Sequence, residues 1–217
     1  MNGVAYNLIH AFPEPFWSEA DTPAQLLLTQ IGPPEFTPEQ KDQYVFPATV
    51  EGWPVAIPNR LYDRTRTPVV FYDEGPFRNF VELANSLALT DRQLLMFFCL
   101  LSRHHNGFVR EAALCQITAA REAIVVPFVA QLASEYVYEI LMQIRLRLVE
   151  LDPSLYGAFF RNNASLLAKL RQRMVSYWDC YYRTGYTSVD GELRCNPDDR
   201  YIGFEIFDSF EAMKQAL

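Results

Sequence analysis

The sequence predicts a mainly α-helical protein of stacked helical hairpins, with an irregular, proline-rich N-terminal segment and a small C-terminal β element. Three observations carry this expectation. Eleven of the 14 prolines precede residue 77, and proline lacks an amide hydrogen and blocks helix interiors, so the first third holds only short helices and extended pieces. From Pro76 to about Arg183 apolar residues recur at helical spacing. An aromatic-Val-x-Glu pattern occurs at Phe108–Glu111 and again at Tyr136–Glu139, 28 residues later, each time after a break and before an apolar run. Such a period suits a helical hairpin, which cannot bury its own face and must stack on a neighbour. The expected organisation is an acidic segment over 1–75 packed on the rest, a helical-repeat domain over 76–185, and a strand-helix extension over 186–217.

Taken in order, Asp21-Thr22-Pro23 before AQLLLTQI reads as a capped short helix, and Thr37-Pro38-Glu39 as a second helix start. YVFPATVEGWPVAIP and TPVVFY lean towards β structure, although their prolines argue against central strands. Phe77–Leu89 reads as a helix. Thr90-Asp91 then caps RQLLMFFCLLSR, so uniformly apolar that it belongs in the core. After a turn at His104–Gly107 come a helix over Phe108–Ala120 and one that Pro127 begins or kinks. Ser134–Leu151 is the clearest helix, with Glu135, Glu139, Gln143 and Arg147 on one i, i+4 row as a narrow polar stripe. Asp152-Pro153 stops it and starts another, with a break at Asn162-Asn163. Tyr201–Phe207 (YIGFEIF) reads as a strand and Asp208 as the cap of a last helix.

Composition narrows the function. The longest apolar run, Leu94–Leu101, is eight residues, far short of the roughly 20 that cross a bilayer. With neither a basic nor a long apolar N-terminus, a cytoplasmic location is expected. Cys99, Cys115, Cys180 and Cys195 are widely spaced, without a CxxC pair, and read as reduced thiols, Cys99 and Cys115 in the core. Net charge is −7, and residues 1–58 hold seven acids against one base, Lys41. That segment either repels polyanions and steers basic partners or serves simply as a solvated, solubilising surface. Arg145, Arg147, Arg171 and Arg173 are the one basic cluster, so no nucleic acid is expected as a partner. No Gly-rich phosphate loop, nucleophile elbow or kinase-like set occurs. No cofactor and no catalytic residue are therefore nominated.

HHNGFVREAAL, residues 104–114, raises a choice between chemistry and architecture. Two imidazoles and Glu111 resemble metal ligands, but no third ligand or HExxH spacing accompanies them, so no metal site is expected. Architecturally, Asn106-Gly107 makes a tight turn where positive φ is tolerated, Arg110 holds neighbouring chain groups, Glu111 sits in the first helical turn, and His104 and His105 are linkers. NGFVREAAL resembles the second helix of bacterial HEAT-type repeats through Asn106, Val109, Arg110, Ala112 and Ala113. The resemblance spans about residues 77–151, with Tyr138 departing from the arginine usual at its position. It implies a HEAT-like helical domain.

Among interaction proteins, a small acidic cytosolic chain of this kind resembles an immunity protein that neutralises a cognate toxin, by analogy at the level of the fold. The expected function is a non-enzymatic bacterial interaction protein, of the immunity type, that binds a basic toxin domain by charge and shape. A scaffold or adaptor is the alternative, and an enzyme of the helical-repeat class the third. The candidate partner-binding residues are Glu135 and Glu139 on the polar stripe, with Asp42 and Glu51 as steering charges. Tyr177, Trp178 and Tyr181 are added because Tyr and Trp are enriched at interface hot spots, although packing of the C-terminal tail against this helix is the more ordinary explanation of that cluster.

Overall fold

The computed structural model describes residues 4–5, 7–33, 35–36, 45–62, 75–183, 188–189, 192–193 and 201–216. Within them the chain is mainly helical. The helices are α1 (Trp17–Ile31), α2 (Gly75–Ser86), α3 (Asp91–Leu101), α4 (Gly107–Ile117), α5 (Val126–Leu132), α6 (Tyr138–Arg147), α7 (Pro153–Asn162), α8 (Ala164–Tyr181) and α9 (Ile202–Gln215). The strands form three antiparallel pairs: β1 (Val4–Ala5) with β2 (Glu35–Phe36), β3 (Val45–Val50) with β4 (Trp53–Pro58), and β5 (Ser188–Val189) with β6 (Glu192–Leu193). The expected helix start at Thr37-Pro38-Glu39, the TPVVFY segment and Cys195 lie outside the described residues.

Local side-chain caps set three of the helix starts. The Thr90 hydroxyl accepts from the Gln93 amide (3.2 Å) while the Gln93 side chain accepts from the Thr90 amide (3.1 Å), a reciprocal capping box that opens α3. Met96–Leu101 that follow are all buried, as a uniformly apolar helix demands. Asn106 Oδ1 accepts from the Phe108 amide (2.9 Å) and opens α4. Asp152 Oδ1 accepts from the Ser154 and Leu155 amides, with Pro153 at the first position of α7.

α3 packs against α1 on one side and α4 on the other; α4 lies beside α6, and α5 lies among α6, α7 and α8. α9 lies along α7, and at Gly157 the two backbones come so near that a Cβ would stand 2.4 Å from the Met213 carbonyl oxygen. Only glycine fits there. One apolar cluster runs through all of these from Leu8 and Phe12 to Phe207 and Phe210. The β3–β4 hairpin turns through Glu51 (φ 50°) and Gly52 (φ 86°), two positive-φ residues that match the strand twist. Its outer edge is pinned by Asn163, whose Oδ1 accepts from the Thr49 amide (2.7 Å) and whose Nδ2 donates to the Thr49 carbonyl (2.8 Å).

Four sequence expectations are corrected. The helix start expected at Asp21-Thr22-Pro23 lies inside α1, which begins at Trp17 and holds Pro23 in its interior. Tyr201–Phe207 is not a strand: Ile202 opens α9, and Ile202, Ile206, Phe207 and Phe210 form one buried helical face. Its aromatic and β-branched residues favour a strand, but burial against α7 and α8 decides the outcome. The helix expected over Ser134–Leu151 spans only Tyr138–Arg147, because the Ser134 hydroxyl turns back to the Gln131 carbonyl (2.8 Å) and the chain breaks before α6. Gly107 does not use positive φ; Asn106, extended at φ −72° and ψ 123°, makes the turn, and Glu111 falls beyond the first turn of α4.

Candidate protein-binding site

The break before α6 exists to bury a carboxylate. Glu135 is fully buried and faces three guanidinium groups. Arg103 donates to its Oε1 (2.9 Å), Arg110 Nε to its Oε2 (2.9 Å), and Arg60 Nη1 stands 3.2 Å from Oε1. Arg103 also donates to the Asn59 carbonyl (3.1 Å), and Arg110 Nη1 to the carbonyls of His104 (2.9 Å) and His105 (2.7 Å). Four chain segments are thereby tied together: the end of β4, the end of α3, the start of α4 and the turn before α6. Burial alone would push the Glu135 carboxyl up, but the nearby arginines, Arg110 foremost, outweigh it and hold it below its ordinary value. Burial lowers the Arg103 guanidinium to about 9, against the pull of Glu135, so it stays charged at neutral pH. Burial likewise lowers that of Arg110.

His104 belongs to this architecture. It is buried, its Nδ1 accepts from the Asn106 amide (3.1 Å), and the chain around it pairs with Leu61 through Leu61 N–H to the Arg103 carbonyl and His105 N–H to the Leu61 carbonyl (both 2.7 Å). Among the described residues no group of three or more His, Cys, Asp or Glu side chains is placed to hold a metal ion. No helix among them is long and apolar enough to cross a membrane.

In front of the ion cluster lies a groove of about 400 Å³, between the starts of α4 and α6. His105, Asn106, Gly107, Phe108, Arg110 and Glu111 line one side, and Tyr136, Val137 and Glu139 the other. The two copies of the aromatic-Val-x-Glu pattern thus face one cavity. Of the eight exposed large apolar side chains among the described residues, four gather here: Phe108 and Tyr136 in its walls, Tyr62 stacked on His105 (6.0 Å) and Tyr181 against Tyr136 (5.3 Å). Tyr136 is also braced by Tyr177 (5.4 Å, edge to face) and by a hydrogen bond from the Tyr182 hydroxyl to its carbonyl.

The candidates named from sequence separate accordingly. Glu139 lines the groove and is exposed. Glu135 is no surface acid: its partners come from residues 25 to 75 positions away, and it shares no helix with Glu139. Glu51 sits in the exposed hairpin turn, and Asp42 lies outside the described residues. Tyr177 and Tyr181 flank Tyr136, whereas Trp178 packs edge-on against Phe204 of α9 (5.3 Å), tail packing. Sequence reasoning missed Tyr62, Phe108, Tyr136 and Glu111 as surface residues. The repeated pattern contained the last three and was read only as architecture. Comparison of the chain with family models, with curated proteins and with solved structures finds no match to any of them.

Proposed function

We propose that this chain is a non-enzymatic interaction module that docks a basic region of a partner protein on the groove between the starts of α4 and α6. The observation that carries this is the gathering of exposed Tyr62, Phe108, Tyr136 and Tyr181 around two carboxylates, Glu111 and Glu139, on a floor fixed by buried ion pairs. Aromatic side chains held rigid at the centre of a patch carry most of the energy of protein interfaces. The chain's net charge of −7 steers a basic partner. In the HEAT-like reading of the hairpins, an immunity-type protein covering the basic active site of a toxin is the member of this class that fits best.

The test is capture of partners from the native host by the wild-type chain and by a Phe108→Ala, Tyr136→Ala double variant, at low and high salt. One dominant partner held by the wild type, weakened by salt and lost by a variant of unchanged melting temperature, is the expected result. Equal capture by the double variant would refute the groove as the docking site.

A further inference from the structure

Resting on that reading and deepening it, we infer that the groove recognises an arginine side chain on a peptide segment of the partner. Its walls combine what a guanidinium needs. Phe108 and Tyr136 offer aromatic faces, and Glu111 and Glu139 offer carboxylates. A planar cation that stacks on rings and donates bidentately uses both, where the compact ammonium of lysine uses chiefly the charge. The two carboxylates already have partners within the chain. A carboxylate accepts at about four lone-pair sites, so acceptor capacity remains.

The positive group lining the groove, Arg110, is turned to other work: Nε donates to Glu135 and Nη1 to two backbone carbonyls. Arg103, wholly buried, and Arg60 add positive charge behind it, also around Glu135. The arginine must therefore be held at short range by rings and acids. A second observation favours a peptide over a free cation. Asn106 lines the groove and is 3% exposed; its Oδ1 is spent on the Phe108 amide, and its Nδ2 is a buried donor without an acceptor. A backbone carbonyl beside the incoming arginine would satisfy it. The chain uses the same chemistry on itself, where the Arg183 guanidinium lies 5.9 Å from the Trp178 ring while donating to Asp179 (2.7 Å).

The test titrates the ¹⁵N-labelled full chain with blocked tripeptides Gly-Arg-Gly, Gly-norleucine-Gly and Gly-Glu-Gly. The arginine peptide should move the amides of Gly107, Phe108, Val137 and Glu139 and the Asn106 side-chain amide, and the other two should not. Phe108→Leu, which keeps apolar bulk but loses the ring, should weaken binding about two- to fivefold. Glu139→Gln should weaken it about fivefold, and both variants should melt as the wild type does. Equal response to norleucine, a response to glutamate, or none to arginine would each overturn the inference. Partner capture that depends on Tyr136 without an arginine response would sink this inference and leave the docking reading standing. An arginine response with no partner captured would do the reverse.

Discussion

Glu135 and Glu139 lie four residues apart and look alike in the sequence, yet they belong to opposite sides of one wall. Glu135 is sealed behind it among Arg60, Arg103 and Arg110, and Glu139 stands in front of it, in the groove. The difference is a division of labour between fixing geometry and presenting chemistry. A buried carboxylate with excellent partners holds four segments in register but is invisible to a ligand. An exposed one contributes little to folding and can meet a partner. The break between Ser134 and Val137 makes the division possible, since a continuous helix would have kept both acids on one face.

The largest expected effect tests the inner side. Glu135→Ala leaves three guanidinium groups without their counter-charge and should cost about 3–5 kcal/mol of stability in urea unfolding. A cost below about 1 kcal/mol would mean that the cluster does not fix the groove floor. Arg103→Met should cost clearly less, because Arg103 already buries Nε and Nη1 without partners and two arginines would still face Glu135. Equal losses would show that the three cations are not redundant.

Acid separates the two sides next. The folded pKa of Glu135 lies below its ordinary value of 4.5, so its ionised form contributes stability above that pH and loses it as the pH falls through the folded value. The stability gap between wild type and Glu135→Gln should be widest near neutrality and shrink below about pH 4.5, as unfolding midpoints across pH would record. A gap independent of pH would place Glu135 among neutral packing residues. Smallest on stability is the outer side: Glu139→Gln and Phe108→Ala should each shift unfolding by about 0.5 kcal/mol or less while weakening partner capture. If either variant melts early, the groove residues are structural.

What the sequence discloses follows the range of the forces. Some starts fixed by neighbours within four residues were legible: the Thr90 cap, Pro127 at the first turn of α5, and Asp152-Pro153 at α7. The start expected at Asp21-Thr22-Pro23 was not, since α1 begins at Trp17 and carries Pro23 in its interior. Ile202–Phe207 was not, because alternating large apolar residues serve a strand as well as a helix until the opposing surface is known. The burial of Glu135 was hidden for the same reason. An acid at helical spacing from Glu139 reads as a solvated stripe unless residues 60, 103 and 110 are known to converge on it. The groove was half legible, since Phe108, Glu111, Tyr136 and Glu139 were visible as a repeat, but only the packing of α4 beside α6 brings its copies face to face.

The most direct measurement of the central claim places a photo-crosslinking amino acid at Tyr136 and, in a second variant, at Val149. Val149 is 92% exposed beyond the far end of α6, about 15 Å along the helix from the groove. Irradiation in the native host should give one dominant protein adduct from position 136 and none from position 149. Adducts of equal yield from both positions, or from 149 alone, would contradict a partner seated on the groove.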